Sequence, residues 1–250
     1  MHVLERDGRR PAVLHVHGYC QSSEYWRPTV ERLAGAGRQA VALDLPGFGG
    51  SSSEAGPYTM EGYADTLASF VTSRGLAPIV LVGGSMGGVV AQHLVLRHAK
   101  LVSGLLLVAT GAYTADPVGA LAKADLIASS SWSLETVSPV VDGFFYARPP
   151  QAEMDRFRAI ALQASQGAAV AAARSNASSR TLDRLASIAI PTMIIQGRHD
   201  RARTAEHGAE MRDRIAGARL EVIEDAGHTP HLEQPNAFHE IALPFLLAGR

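Results

Sequence analysis

The sequence predicts an α/β protein: a mostly parallel central sheet flanked by helices, interrupted by one long helical insertion. Three observations carry this. Short apolar runs are spread evenly along the 250 residues, segments of helical spacing lie between them, and the alternation stops in one stretch, 112–187. Nearly continuous apolar runs are what strands covered on both faces require, because neither face meets water. Strands alternating with helices then build a parallel sheet with helices on both sides.

In chain order the predicted strands are AVLHVHG (Ala12–Gly18), QAVALDL (Gln39–Leu45), PIVLVGG (Pro78–Gly84), SGLLLVAT (Ser103–Thr110), PTMIIQG (Pro191–Gly197) and RLEVIED (Arg219–Asp225). Helical spacing appears over Tyr25–Leu33, Met60–Val71, Val89–Leu96, Ala205–Ile215 and Ala237–Leu247. The residues before Ala12 offer one edge strand or a hairpin. Between Ala112 and Ser187 the chain is rich in alanine and serine, with aromatics at Trp132, Phe144, Phe145, Tyr146 and Phe157 and a helical piece at Ala152–Ala164. That stretch is too long and too apolar for a solvated linker, so it is expected to lie over the sheet. The expected organisation is a core of 1–111 and 188–250 with an inserted helical cap of 112–187.

Composition narrows the function. Hydrophobic residues make up 46% and charged residues 19% of the chain, and the net charge is −1. With no lysine or arginine run, neither nucleic acid nor an anionic membrane surface is an expected partner. A single cysteine, Cys20, leaves no internal disulfide to form. The N-terminus, MHVLERDGRRPAVLHVHG, carries charge where a signal peptide needs an apolar core, and no apolar stretch approaches the roughly 20 residues of a membrane helix. A cytoplasmic protein without a membrane partner is the expectation.

The most informative stretch is VLVGGSMGGVV (Val80–Val90), a buried-looking strand running through Gly83-Gly84-Ser85-Met86-Gly87 into a helix. A strand that reverses into a helix over so few residues has no room for Cβ atoms beside its apex. Gly83 and Gly87 let strand and helix approach, and Ser85 takes the strained apex with its hydroxyl presented at the carboxyl end of the sheet. Ser85 is therefore the candidate nucleophile. A serine hydroxyl needs a base, and the base needs an orienting acid. VIEDAGHTPHLEQP supplies His228 after a late strand, and MIIQGRHD supplies Asp200 after the strand before it.

With these residues placed, the chain resembles the α/β-hydrolase family. The motifs that carry the likeness are HGYCQSS, DLPGFGGSS, GGSMGG, GRHD and AGHTPHLEQP, which cover the predicted core and leave out the insertion. It looks most like the small-cap carboxylesterases and lactonases, the 3-oxoadipate enol-lactonase type among them. The resemblance implies the α/β-hydrolase fold with 112–187 as its helical cap, a Ser85–His228–Asp200 triad, and an oxyanion hole made by the backbone N–H groups of Tyr19 and Met86. It implies hydrolysis of a small carboxylic ester, lactone or related acyl compound through an acyl-enzyme, with no cofactor and no metal. Carbon–carbon bond or thioester hydrolysis on the same triad stays open, as does a weakly catalytic ligand sensor.

Competing residues have ordinary readings. Asp44 is expected to shape the DLPGFGG turn and Asp225 to be a solvated loop residue. His231 is expected to pack beneath the His228 loop. Metal ligation by the two histidines lacks the converging cysteines or acids that a site requires. His17 is expected to hold its loop through backbone hydrogen bonds, and His15 to face away from it. Cys20 reads as a small buried hydrophobe, and Arg198 and His199 as surface residues. Trp132, Phe144, Phe145 and Tyr146 divide between lining a substrate pocket and packing the cap.

Overall fold

The computed structural model describes residues 1–248. Its strands are β1 (Val3–Arg6), β2 (Arg9–Val16), β3 (Arg38–Leu43), β4 (Ile79–Gly84), β5 (Val102–Val108), β6 (Thr192–Gly197) and β7 (Arg219–Ile223). They form one sheet in the order β1-β3-β2-β4-β5-β6-β7, parallel throughout except for β1, which runs antiparallel to β3 with Val3 opposite Leu43. The N-terminus is thus an edge strand. It makes no hairpin with β2, because β3 lies between them.

Period-two alternation divides the strand side chains cleanly between two cores. Leu14, Val16, Val41, Leu43, Leu81, Leu105, Leu107 and Ile194 face one layer of helices. That layer comprises α2 (Met60–Ser73), α3 (Met86–His98) and α8 (Ala205–Arg214). Val13, Ala40, Ala42, Val80, Val82, Leu106, Val108 and Ile195 face the other layer, which comprises α1 (Arg27–Gly35) and α10 (Pro235–Ala248). Both faces are covered, which is why the strands read as unbroken apolar runs. Each fully buried leucine or valine here contributes about 2 kcal/mol over leaving it exposed. The helices start where the chemistry predicts: the Thr59 hydroxyl accepts from Gly62 N at 3.0 Å to open α2, and Pro28 sits in the first turn of α1.

Between β5 and β6 the chain forms α4 (Pro117–Ser129), α5 (Leu134–Asp142), α6 (Gln151–Leu162) and α7 (Gln166–Ser178). α4 packs on α7 and α5 on α6. A third apolar cluster joins this layer to the core: Val137, Val141, Phe144, Met154, Phe157 and Ile160 close over Cys20 and Tyr25 from the loop after β2.

The differences from the sequence reading lie at element ends. β2, β3, β5 and β7 stop two residues short of the apolar runs, and Gly18, Leu45, Thr110 and Asp225 belong to loops. Gly18, Leu45 and Thr110 are buried and apolar or small, so hydropathy does not separate them from strand, whereas Asp225 is exposed. α3 begins at Met86, three residues before the predicted start. Gly87 and Gly88 have poor helix propensity, yet both are helical, because the turn at Ser85 feeds straight into the helix.

Candidate active site

Ser85 closes β4 and stands as the N-cap of α3 with φ 50° and ψ −119°. A non-glycine residue with positive φ costs of order 1–3 kcal/mol, so its surroundings must hold it there. They do. Ser85 N donates to Val108 O at 2.9 Å, and its carbonyl accepts from the Thr110 hydroxyl at 2.7 Å. An ideal Cβ on Gly83 would lie 2.5 Å from Gly87 O, and one on Gly87 would lie 2.4 Å from His17 O. Gly88 is equally constrained, with a Cβ there only 2.6 Å from the Thr110 side chain. Sequence reasoning named the first two glycines and passed over Gly88, since the contact partner lies on a different strand's loop.

The structure brings Ser85, His228 and Asp200 together. His228 Nε2 lies 2.7 Å from Ser85 Oγ, and His228 Nδ1 lies 2.7 Å from Asp200 Oδ2. The His228 and Asp200 side chains are 6% and 0% exposed, so water does not compete for these bonds. Asp200 Oδ1 accepts from Ala202 N at 2.8 Å and Arg203 N at 2.9 Å, which fixes the carboxylate plane. With a carboxylate oxygen as acceptor, Nδ1 carries the imidazole hydrogen and Nε2 presents its lone pair to the serine hydroxyl. The loops carrying the acid and the imidazole meet at Gly197, where a Cβ would lie 2.0 Å from Gly227 O.

The loop after β2 passes directly beside Ser85: an ideal Cβ on Gly18 would lie 3.1 Å from Ser85 Cβ. His17 is fully buried, and burial pulls its pKa below the ordinary histidine value. Leu45 N donates to His17 Nε2 at 3.0 Å. Nδ1 therefore holds the hydrogen and donates to Gly18 O at 2.7 Å. Gly18 N donates to Gln21 Oε1 at 2.8 Å, a partner that sequence reasoning missed. His17 and His15 share a parity but face opposite layers, because β2 ends at Val16 and His17 has left the ladder. His15 lies 5.3 Å from the Trp26 ring and His17 5.6 Å from Phe48.

Of the four cap aromatics, Phe144 lies beside the imidazole, with ring centroids 5.8 Å apart. Trp132 donates its indole N–H to Leu162 O at 3.3 Å within the cap. Phe145 stacks on Phe157 at 5.2 Å, and Tyr146, 52% exposed, stacks on His199 at 3.7 Å. Glu233, also unmarked by the sequence reading, accepts from the backbone on both sides of His228, from Gly227 N at 2.9 Å and Thr229 N at 3.2 Å.

The competing residues are structural. Asp44 is buried and accepts from Ser23 N at 2.6 Å and Gly50 N at 2.7 Å, which builds the DLPGFGG turn. Asp225 is exposed. Burial pushes the Cys20 thiol up to about 12, so it carries no thiolate near neutrality. Arg198 pairs with Glu224 at 2.7 Å on the surface. Among the described residues no group of three or more histidines, cysteines or acids is placed to hold a metal ion, and no helix is long and apolar enough to cross a membrane. A surface groove of about 850 Å³ lined by Asp65, Arg97, His98 and Lys100 opens at the opposite end of α3 from Ser85 and has no part in the site.

His231 stacks on Trp26 at 4.1 Å. Burial lowers its pKa to about 3, and burial lowers that of His15 to about 4. Unfolded, both rings take up a proton near pH 6.5. Between that pH and about 4 the unfolded chain therefore binds more protons, and stability falls as pH drops through this window. Each ring contributes a slope on the order of 1 kcal/mol per pH unit. Chemical denaturation at pH 7.5 and pH 5 is expected to show this loss. His231→Phe, which keeps the ring stack, is expected to remove one ring's share of the slope and leave that of His15. A stability independent of pH from 7.5 to 4.5 would contradict the assignment.

A family model described as "Alpha/beta hydrolase family" matches residues 13–241. Among curated proteins, monoacylglycerol lipase abhd6-B of Xenopus laevis is 25% identical, over 96% of this chain and 77% of its own. Among solved structures, a thermophilic esterase from Thermogutta terrifontis, with malate bound, is 26% identical and superposes with a TM-score of 0.88 over 98% of this chain and 92% of its own. The enol-lactonase of Burkholderia xenovorans LB400 superposes with a TM-score of 0.90 over 98% and 96% of the two chains; at 23% identity this likeness speaks for the fold alone.

Proposed function

Because the chain belongs to the alpha/beta hydrolase family, we propose that it is a serine hydrolase that cleaves small carboxylic esters or lactones through an acyl-enzyme. The observation that carries this is the unbroken relay from Ser85 Oγ through His228 to Asp200, with 2.7 Å at each step. His228 Nε2 takes the hydroxyl proton as Ser85 Oγ attacks the substrate carbonyl carbon. Asp200 holds the tautomer that makes this possible and steadies the imidazolium. His228 then returns the proton to the departing alkoxide. A water molecule, deprotonated by the same imidazole, attacks the acyl carbon and frees Ser85.

The developing oxyanion is assigned to the N–H groups of Met86 and Tyr19. Met86 is the first residue of α3, so its N–H has no partner within the helix and sits at the positive end of the helix dipole. The Gly18–Tyr19 peptide is trans, so its N–H points opposite to its C=O, and His17 holds that C=O. A neutral His17 thereby turns the Tyr19 N–H away from itself. Each such donor contributes roughly 3 kcal/mol to transition-state binding. The apolar cluster of Phe144, Val141 and Tyr25 near His228 favours an uncharged acyl or alkyl group.

A fluorophosphonate probe is expected to label Ser85: the serine oxygen bonds to phosphorus and fluoride leaves, adding one probe mass less hydrogen fluoride. Ser85→Ala is expected to take no label. Turnover of a panel of p-nitrophenyl esters, lactones and thioesters then ranks the substrate class, with Ser85→Ala as the blank. An unlabelled wild-type protein, or turnover that survives Ser85→Ala, would sink the proposal. Labelling combined with turnover of less than one cycle per hour on every compound would favour the ligand sensor.

A further inference from the structure

We propose that Glu233 is a positioning residue that ties the cap segment Phe144–Tyr146 to the imidazole loop, so that His228 is held for proton transfer only while that segment is seated. The inference rests on the reading of His228 as the base. Glu233 ends the short helix α9 (Pro230–Glu233), and its two carboxylate oxygens reach in different directions. Oε2 accepts from Gly227 N at 2.9 Å and Thr229 N at 3.2 Å, the amides of the residues on either side of His228, and lies 3.2 Å from the Thr229 hydroxyl. Oε1 accepts from Tyr146 N at 2.6 Å, across 87 residues of sequence. Bonds to a carboxylate are roughly twice as strong as neutral ones.

Three further contacts show that cap segment and loop form one unit. His228 N donates to Phe144 O at 2.9 Å. The Tyr146 ring stacks flat on His199, at 3.7 Å and 8°, next to the acid Asp200. An ideal Cβ on Gly227 would lie 2.7 Å from Tyr146 N, so the loop approaches the cap segment as closely as a glycine allows. The cap segment therefore touches the loops of both the imidazole and its acid; Glu233 bridges it to the imidazole loop, beside the Thr229 hydroxyl, which lies 3.3 Å from Phe144 O. Because its two amide partners flank His228, loss of the carboxylate frees the backbone that aims Nε2. A misplacement of about 1 Å at a reacting group costs on the order of 10²-fold in rate.

The test uses the full chain and p-nitrophenyl butyrate. Glu233→Ala is expected to lower kcat roughly 10²-fold while KM stays within about threefold. Glu233→Gln keeps one acceptor oxygen and loses the other, so it can hold the loop or the cap segment but not both, and is expected to lose about tenfold. Gln234→Ala, whose amide only donates to Asp225 O at 3.0 Å on the surface, is expected to match wild type. Amide hydrogen exchange supplies a readout independent of catalysis: in Glu233→Ala, exchange is expected to rise together at Tyr146 and at Gly227–Thr229 and to stay unchanged in β2 and β4. Wild-type kcat in folded Glu233→Ala, or in Glu233→Gln should the alanine variant not fold, would overturn the proposal. So would exchange that rises at 227–229 alone. If His228→Ala proves silent, the reading of the base fails, while the exchange experiment still judges the tie.

Discussion

His228→Ala is expected to lower ester turnover by at least about 10³-fold and to leave the fold intact. The imidazole is the only group bonded to Ser85 Oγ, and no other titratable side chain is placed to receive that proton among the described residues. The nearest rival in sequence, His231, lies against Trp26 in the layer below and is held neutral by burial. His231→Ala should therefore cost stability through the lost stack while kcat changes little. The fold is expected to survive His228→Ala because the side chain contributes one polar relay and one ring contact, to Phe144. Circular dichroism and a denaturation curve would establish that, and steady-state kinetics would measure the rate. The opposite pattern, with His231→Ala inactive and His228→Ala near wild type, would reverse the assignment of the base.

Gly87→Ala is expected to be strongly damaging for a single added methyl. On helix propensity alone, alanine would gain about 1 kcal/mol over glycine. The added Cβ, however, would lie 2.4 Å from His17 O and 2.5 Å from Val16 O, both backbone atoms at the end of β2. Backbone cannot rotate aside, so α3 and β2 must separate. Overpacking of this kind costs about 1–3 kcal/mol or more and outweighs the propensity gain. The separation also moves the His17–Tyr19 loop relative to Ser85, so kcat should fall on the order of 10²-fold. Gly35→Ala is the comparison: it too lies in a helix, a Cβ there meets nothing within 4 Å, and its effect should be neutral or slightly stabilising. A denaturation midpoint for Gly87→Ala at or above wild type would show that the close approach is not limiting.

Much of this was legible in the sequence by itself. The strand runs are apolar because helices cover both sheet faces, and hydropathy reports burial directly. Gly83, Ser85 and Gly87 are recognisable because a strand–turn–helix reversal excludes Cβ atoms at fixed offsets, a purely local constraint. His228 and Asp200 could be named because each follows a strand, and parallel strands deliver their ends to one rim. Only the tertiary structure decided the rest. It set the tautomer of His17 through Leu45 N, placed Gly88 against Thr110, and divided the cap aromatics so that Phe144 lies by the imidazole while Tyr146 stacks on His199. It also joined Glu233 to Tyr146, 87 residues apart. Those relations depend on the distance between chain segments and on the direction of individual hydrogen-bonding atoms. Neither quantity leaves a periodic or local trace in the order of residues, so each waits for the chain to fold.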